Sequence, residues 1–123
     1  MKRTLHLPLF IISILFILAS CRKPGHDTQY VTLSETIVSG ATYTLDLSAY
    51  GDADDQPSIT QQATAFTVSR ISTDASTGRY TYSFSSDQKN GSKETVVVTL
   101  KETGHRHNCN RDEAVITINF TIN

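Results

Sequence analysis

Apolar and polar residues alternate strictly through the last stretch of the chain, Glu113 to Asn123. Ala114, Ile116, Ile118, Phe120 and Ile122 fall on one side, and Val115, Thr117, Asn119 and Thr121 on the other. A period of two predicts a strand with one face on a core. The same alternation marks Tyr43, Leu45 and Leu47; Phe66 and Val68; Tyr80, Tyr82 and Phe84; and Val96, Val98 and Leu100. Five strands are predicted, with Tyr43, Tyr80 and Tyr82 pointing inward. Tyr30 to Leu33 and Thr36 to Ser39 are rich enough in β-branched residues to add one or two more. Gln56 to Ala65 does not alternate and is expected to hold a short helical turn or a crossover between sheets.

Turn residues separate these runs: Ser39-Gly40, Gly51-Asp52, Ser76-Thr77-Gly78, Asn90-Gly91 and Gly104. Asn90-Gly91 has the strongest preference for a tight hairpin, because both residues accept positive φ. Six or seven short strands across residues 30–123 predict an all-β fold, an antiparallel sandwich with Greek-key connections. The runs Ala41-Thr42-Tyr43-Thr44-Leu45-Asp46-Leu47-Ser48-Ala49-Tyr50-Gly51-Asp52, Phe66-Thr67-Val68-Ser69 and Tyr80-Thr81-Tyr82-Ser83-Phe84 together resemble bacterial immunoglobulin-like or cadherin-like modules of exported surface proteins. That resemblance implies an immunoglobulin-like sandwich with a structural or adhesive role. The antibody subtype is not expected, since there is no tryptophan and no second core cysteine for an intersheet disulfide.

The opening of the chain has a different pattern. Lys2 and Arg3 precede an apolar run from Leu9 to Ala19, broken only by Ser13. As a helix this run spans about 16 Å at about 1.5 Å per residue, well short of the roughly 30 Å hydrocarbon core of a bilayer. A positive start, a short apolar middle and small residues before a cut are the parts of a secretory signal. Leu18-Ala19-Ser20-Cys21 is similar to the lipobox of bacterial lipoproteins. The resemblance implies cleavage between Ser20 and Cys21, a diacylglyceryl group on the Cys21 thiol and acylation, such as palmitate, of the new amino terminus. Several acyl chains, each CH₂ adding about 0.8 kcal/mol, give stable anchoring. Arg22 after the cysteine, where some bacteria use aspartate for inner-membrane retention, implies the outer membrane. The absence of an acidic run favours a periplasm-facing domain.

The expected organisation is therefore a signal peptide over 1–20, a lipidated cysteine and flexible tether over 21–29, and a sandwich over 30–123. Pro24-Gly25 breaks regular structure in the tether, and eight flexible residues span about 15 Å on average. Two of the 11 basic residues lie in the signal, so the chain beyond Cys21 is acidic, with no basic cluster other than Arg22-Lys23. Nucleic acid is excluded as a partner. The membrane, through the lipid anchor, and a protein are the expected partners.

Three groups of residues have chemical potential. His105, His107 and Cys109 are spaced so that, in extended chain, two imidazoles and a thiol share one side; these are zinc or copper ligands, with Glu102, Asp112 or Glu113 able to supply a fourth. A polar hairpin tip accounts for the same residues. With Cys21 acylated, Cys109 is left without an intramolecular partner, which suits an intermolecular disulfide or an inert thiol. Asp52, Asp54 and Asp55 form an acidic loop after a strand; clustered oxygens suit calcium, and Asp and Gly equally suit a solvated turn. Tyr30 and Tyr50 remain as surface rings for a glycan. No glycine-flanked nucleophilic serine or phosphate-cradling loop occurs, and no enzymatic activity is expected. The sequence points to a lipid-anchored interaction or structural module of the cell envelope; the alternative is a metal-binding envelope module using His105, His107 and Cys109.

Overall fold

The computed structural model describes residues 27–103 and 110–123. Seven strands, β1 (Gln29–Ile37), β2 (Tyr43–Asp46), β3 (Gln56–Gln61), β4 (Val68–Thr73), β5 (Tyr80–Ser85), β6 (Lys93–Thr103) and β7 (Asn110–Ile122), build two sheets. One has the order β1-β7-β6-β3 and the other β2-β5-β4. They face each other as a β-sandwich, and one 3-10 turn, Leu47–Ala49, comes directly after β2.

The alternation in the sequence builds the core directly. Ala114, Ile116, Ile118, Phe120 and Ile122 of β7 are all buried, as are Val96, Val98 and Leu100 of β6. Tyr82 and Phe84 of β5 meet them from the other sheet. Phe84 stacks on Phe120 with centroids 4.1 Å apart, and Tyr43 meets Phe120 edge-on at 5.2 Å. Burying a side chain of this size stabilises the fold by about 1.5–3 kcal/mol, and an aromatic pair adds about 0.5–1.5 kcal/mol. Tyr82 is wholly buried yet keeps a polar partner, its hydroxyl lying 2.8 Å from Ser69 Oγ.

Three features of this arrangement differ from the expectation. β1 runs parallel to β7, although the other four ladders are antiparallel; first and last strands share no short connection, so no hairpin dictates their sense. The runs at 30–33 and 36–39 contribute one strand, β1, which ends at Ile37, in keeping with the one or two expected. Gln56 to Ala65 opens with β3 rather than a helical turn, and its remainder makes the other expected feature, a crossover between the sheets. β3 is an edge strand, which tolerates Pro57, and its pairing with β6 slips between Ile59 and Gln61. Asn90-Gly91 does make a turn, with Ser92 N–H on the Lys89 carbonyl (3.1 Å) and Gly91 at φ 87°. That turn lies in a crossover from β5 to β6, which belong to different sheets.

The strands define two ends. At the near end β1 begins, and Thr28 Oγ1 donates to the Asp112 carbonyl (2.7 Å). The β2–β3 connection and the β4–β5 hairpin lie there too. The far end carries the turn around Gly40 and the connections 62–67 and 86–92. There Gly40 N–H donates to the Ser86 carbonyl and Ser86 Oγ to the Ala65 carbonyl. Phe66, expected to point inward beside Val68, is 43% exposed in this far-end connection.

Candidate functional site

The near end holds a cleft between the β2–β3 connection and the β4–β5 hairpin. Asp46 starts one wall: its Oδ1 accepts Ser48 N–H (2.9 Å) and Ser48 Oγ–H (2.7 Å), which caps the 3-10 turn. These two bonds hold the Asp46 carboxyl below the usual carboxylate value. The chain then doubles back through Gly51 to Asp55. Asp55 N–H donates to the Asp52 carbonyl (3.1 Å), and Asp52 N–H donates to Asp55 Oδ2 (2.6 Å). A Cβ at Gly51 would stand 2.6 Å from Asp55 Oδ2 and 2.6 Å from Leu100 Cδ2. Glycine is therefore what lets this loop close over the Asp55 carboxylate.

The hairpin is the facing wall. Asp74 Oδ1 accepts from Ser76 N–H (2.8 Å), Thr77 N–H (3.2 Å) and the Ser76 hydroxyl, and Gly78 at φ 69° completes the bend. Between the walls lies a space of about 360 Å³, with Leu47, Leu100 and Tyr80 as apolar lining and Ser48, Asp52, Asp55, Thr77 and Arg79 as polar lining. This falls within the roughly 300–1,000 Å³ of small-molecule sites. Arg79 leans toward Asp46, its guanidinium 3.9 Å from Oδ2 in an exposed pair.

Asp55 is the unusual member. It is 2% exposed, in phase with the inward-facing Pro57 and Ile59 of β3. Burial pushes its carboxyl above the usual value, the Asp52 N–H opposes this, and the negative charges of Glu113, Asp52 and Asp54 add to the rise.

Asp52, Asp54 and Asp55 thus do not act as one cluster. Asp52 and Asp54 are exposed while Asp55 turns in, and the Asp54 carbonyl accepts from Thr103 Oγ1 (2.7 Å). Among the described residues no group of three or more His, Cys, Asp or Glu side chains is gathered where an ion would sit. His105, His107 and Cys109 lie outside the described residues, as do Ser20 and Cys21. Of the side chains suggested as a fourth ligand, Asp112 stands 4.0 Å from Lys101 Nζ. Tyr30 is 79% exposed on β1, whereas Tyr50 packs against the core.

Glu94 was not singled out in the sequence. It lies at the far end, in phase with Val96, Val98 and Leu100, and is 9% exposed. Oε2 accepts Thr64 N–H (2.7 Å) and Oε1 accepts Ala65 N–H (3.2 Å), so one carboxylate braces the β3–β4 connection. A charged residue in phase with a buried stripe is the signal that would have found it.

No family model matches the chain, and no curated protein matches it. Among solved structures, it is similar to a nucleoside hydrolase-related hypothetical protein from Saccharophagus degradans associated with carbohydrate metabolism. The two share 18% identity with a TM-score of 0.41, over 78% of this chain. The match spans 22% of that protein's length.

Proposed function

We propose that the protein is a lipid-anchored module of the cell envelope that works by meeting a protein partner. The observation that carries the interaction reading is the outer face of the four-stranded sheet. Thr32, Thr117 and Val97 stand in one row across β1, β7 and β6, and Ser34, Asn119 and Thr95 in the next. Thr36 and Thr121 continue the pattern, and Thr99, itself covered at 4% exposure, continues it toward β3, its Oγ1 lying 2.9 Å from Thr60 Oγ1. The charges of this face stand at its ends, on Lys93 of β6 at one and on Lys101 of β6 with Asp112 of β7 at the other. A broad face of hydroxyls and methyls with a charge-free centre suits an interface, whose core is depleted of charged side chains.

The strand orders β2-β5-β4 and β1-β7-β6-β3 support the immunoglobulin-like reading, which groups second, fifth and fourth strands against third, sixth and seventh. Anchoring rests on the lipobox-like Leu18-Ala19-Ser20-Cys21. Among the described residues no helix is long and apolar enough to cross a membrane. With a tether of about 15 Å joined at Thr28, the near end of the sandwich faces the bilayer, and the hydroxyl face stands upright from it.

Two measurements on envelope-extracted protein test this. Mass spectrometry should find an amino terminus at acylated Cys21, and Cys21→Ser should move the protein into the soluble fraction. A photo-crosslinker at Thr117 should trap one defined protein that a crosslinker at Ser83, on the outer face of the other sheet, does not. An unmodified amino terminus, or identical crosslinks from both positions, contradicts the proposal.

A further inference from the structure

We infer that the near-end cleft binds a primary ammonium group on a short aliphatic stem, whether a small free amine or a lysine side chain presented by a peptide. This goes beyond the anchored-module proposal and does not depend on it.

The shape selects for a stem. Leu47 and Leu100, 1% and 3% exposed, and the half-buried Tyr80 ring give the cleft an apolar lining suited to methylenes. A space of about 360 Å³ is about ten times the volume of a water, roughly 30 Å³, and is poorly matched to a bare ion.

The charges select for a cation. Asp55 brings a nearly solvent-free carboxylate to the wall, and Oδ2 takes the Asp52 N–H. Oδ1 has no hydrogen-bond partner among the described residues. A buried carboxylate oxygen without a donor is costly, and a ligand that brings one recovers that cost. Among the described residues, the side chains acting on Asp55 electrostatically are Glu113, Asp52 and Asp54, all acidic. Arg79 also lines the cleft, from the facing wall, with its guanidinium 3.9 Å from Asp46 Oδ2. At the Asp55 wall an anion is therefore repelled and a cation drawn in. A guanidinium is the poorer fit, because its planar fork seeks both carboxylate oxygens and one is already taken; an ammonium is a compact charge that one oxygen suits.

The test is an amide chemical-shift titration of the full-length protein in detergent with n-butylammonium, with n-butanol as the uncharged counterpart. Saturable shifts at Gly51, Asp52, Asp55 and Gly78 are expected from the amine and not from the alcohol. Asp55→Asn, which keeps the acceptor and loses the charge, should weaken binding about tenfold or more. Thr77→Trp, on the exposed hairpin, fills the cleft and should abolish the shifts without touching Asp55. A lysine-containing peptide that binds at least tenfold more tightly than butylammonium identifies a presented side chain; equal affinity identifies a small amine. Equal shifts from amine and alcohol, no saturable shift, or unchanged affinity in both variants overturns the inference.

Discussion

Two carboxylates are drawn into this sandwich at opposite ends, and they are served differently. Glu94 has a backbone N–H on each oxygen, from Thr64 and Ala65. Asp55 is more deeply buried, has one N–H on one oxygen, and is surrounded by acidic neighbours on the edge of a cleft. A carboxylate whose oxygens are both satisfied holds a connection in place. One left half-satisfied beside open space is suited to a ligand, since a donor that arrives there gains what the fold itself does not supply.

Breaking the brace should have the largest effect. Glu94→Ala leaves two N–H groups of the β3–β4 connection without acceptors and should destabilise the protein by about 3 kcal/mol, read from urea unfolding. Gly51→Ala comes next: its Cβ must push aside Asp55 Oδ2 and Leu100 Cδ2, at a cost of about 1–3 kcal/mol. Asp55→Asn should be the mildest, within about 1 kcal/mol of wild type near neutral pH, because the amide oxygen still accepts the Asp52 N–H. A loss at Asp55 as large as at Glu94 would erase the distinction between the two ends.

The pH dependence sharpens the comparison. Asp55 is held above the ordinary aspartate value, so the folded protein binds that proton more tightly than the unfolded chain does. Its contribution is fully present below the unfolded pKa and is lost as pH rises through the folded one. Asp46 and Asp74 are held below the ordinary value by hydrogen bonds from Ser48, and from Ser76 and Thr77, so their contributions run the other way, lost as pH falls. The stability difference between Asp55→Asn and wild type isolates Asp55. It should shift in favour of the variant as pH rises from about 3 to about 6. A difference that stays flat, or moves toward wild type, contradicts the assignment.

Much of the fold was legible because alternation reports which face of a strand is buried. β7 and β6 carry the pattern along nearly their whole length, and their inward apolar residues are buried. Alternation does not report which sheet a strand joins, which is why the turn at Asn90-Gly91 was expected in a hairpin and serves a crossover. β3 was hidden because an edge strand with a proline and a register slip lacks a clean period. The acidic loop was visible as composition, yet only the phase of Asp55 with Pro57 and Ile59 shows which of its carboxylates turns inward. The same phase argument, applied to Val96, Val98 and Leu100, brings out Glu94. The cleft itself was not readable, because its second wall comes from a hairpin some twenty residues further along the chain.

The most direct test is the thermal shift produced by saturating n-butylammonium in wild type, Glu94→Gln and Asp55→Asn side by side. A ligand that binds only the folded state raises Tm. Wild type and Glu94→Gln should therefore gain the same increment from different starting points, while Asp55→Asn gains little. Equal increments in all three, or none in wild type, would contradict the view that the near-end carboxylate is there to receive a ligand and the far-end one to hold the fold.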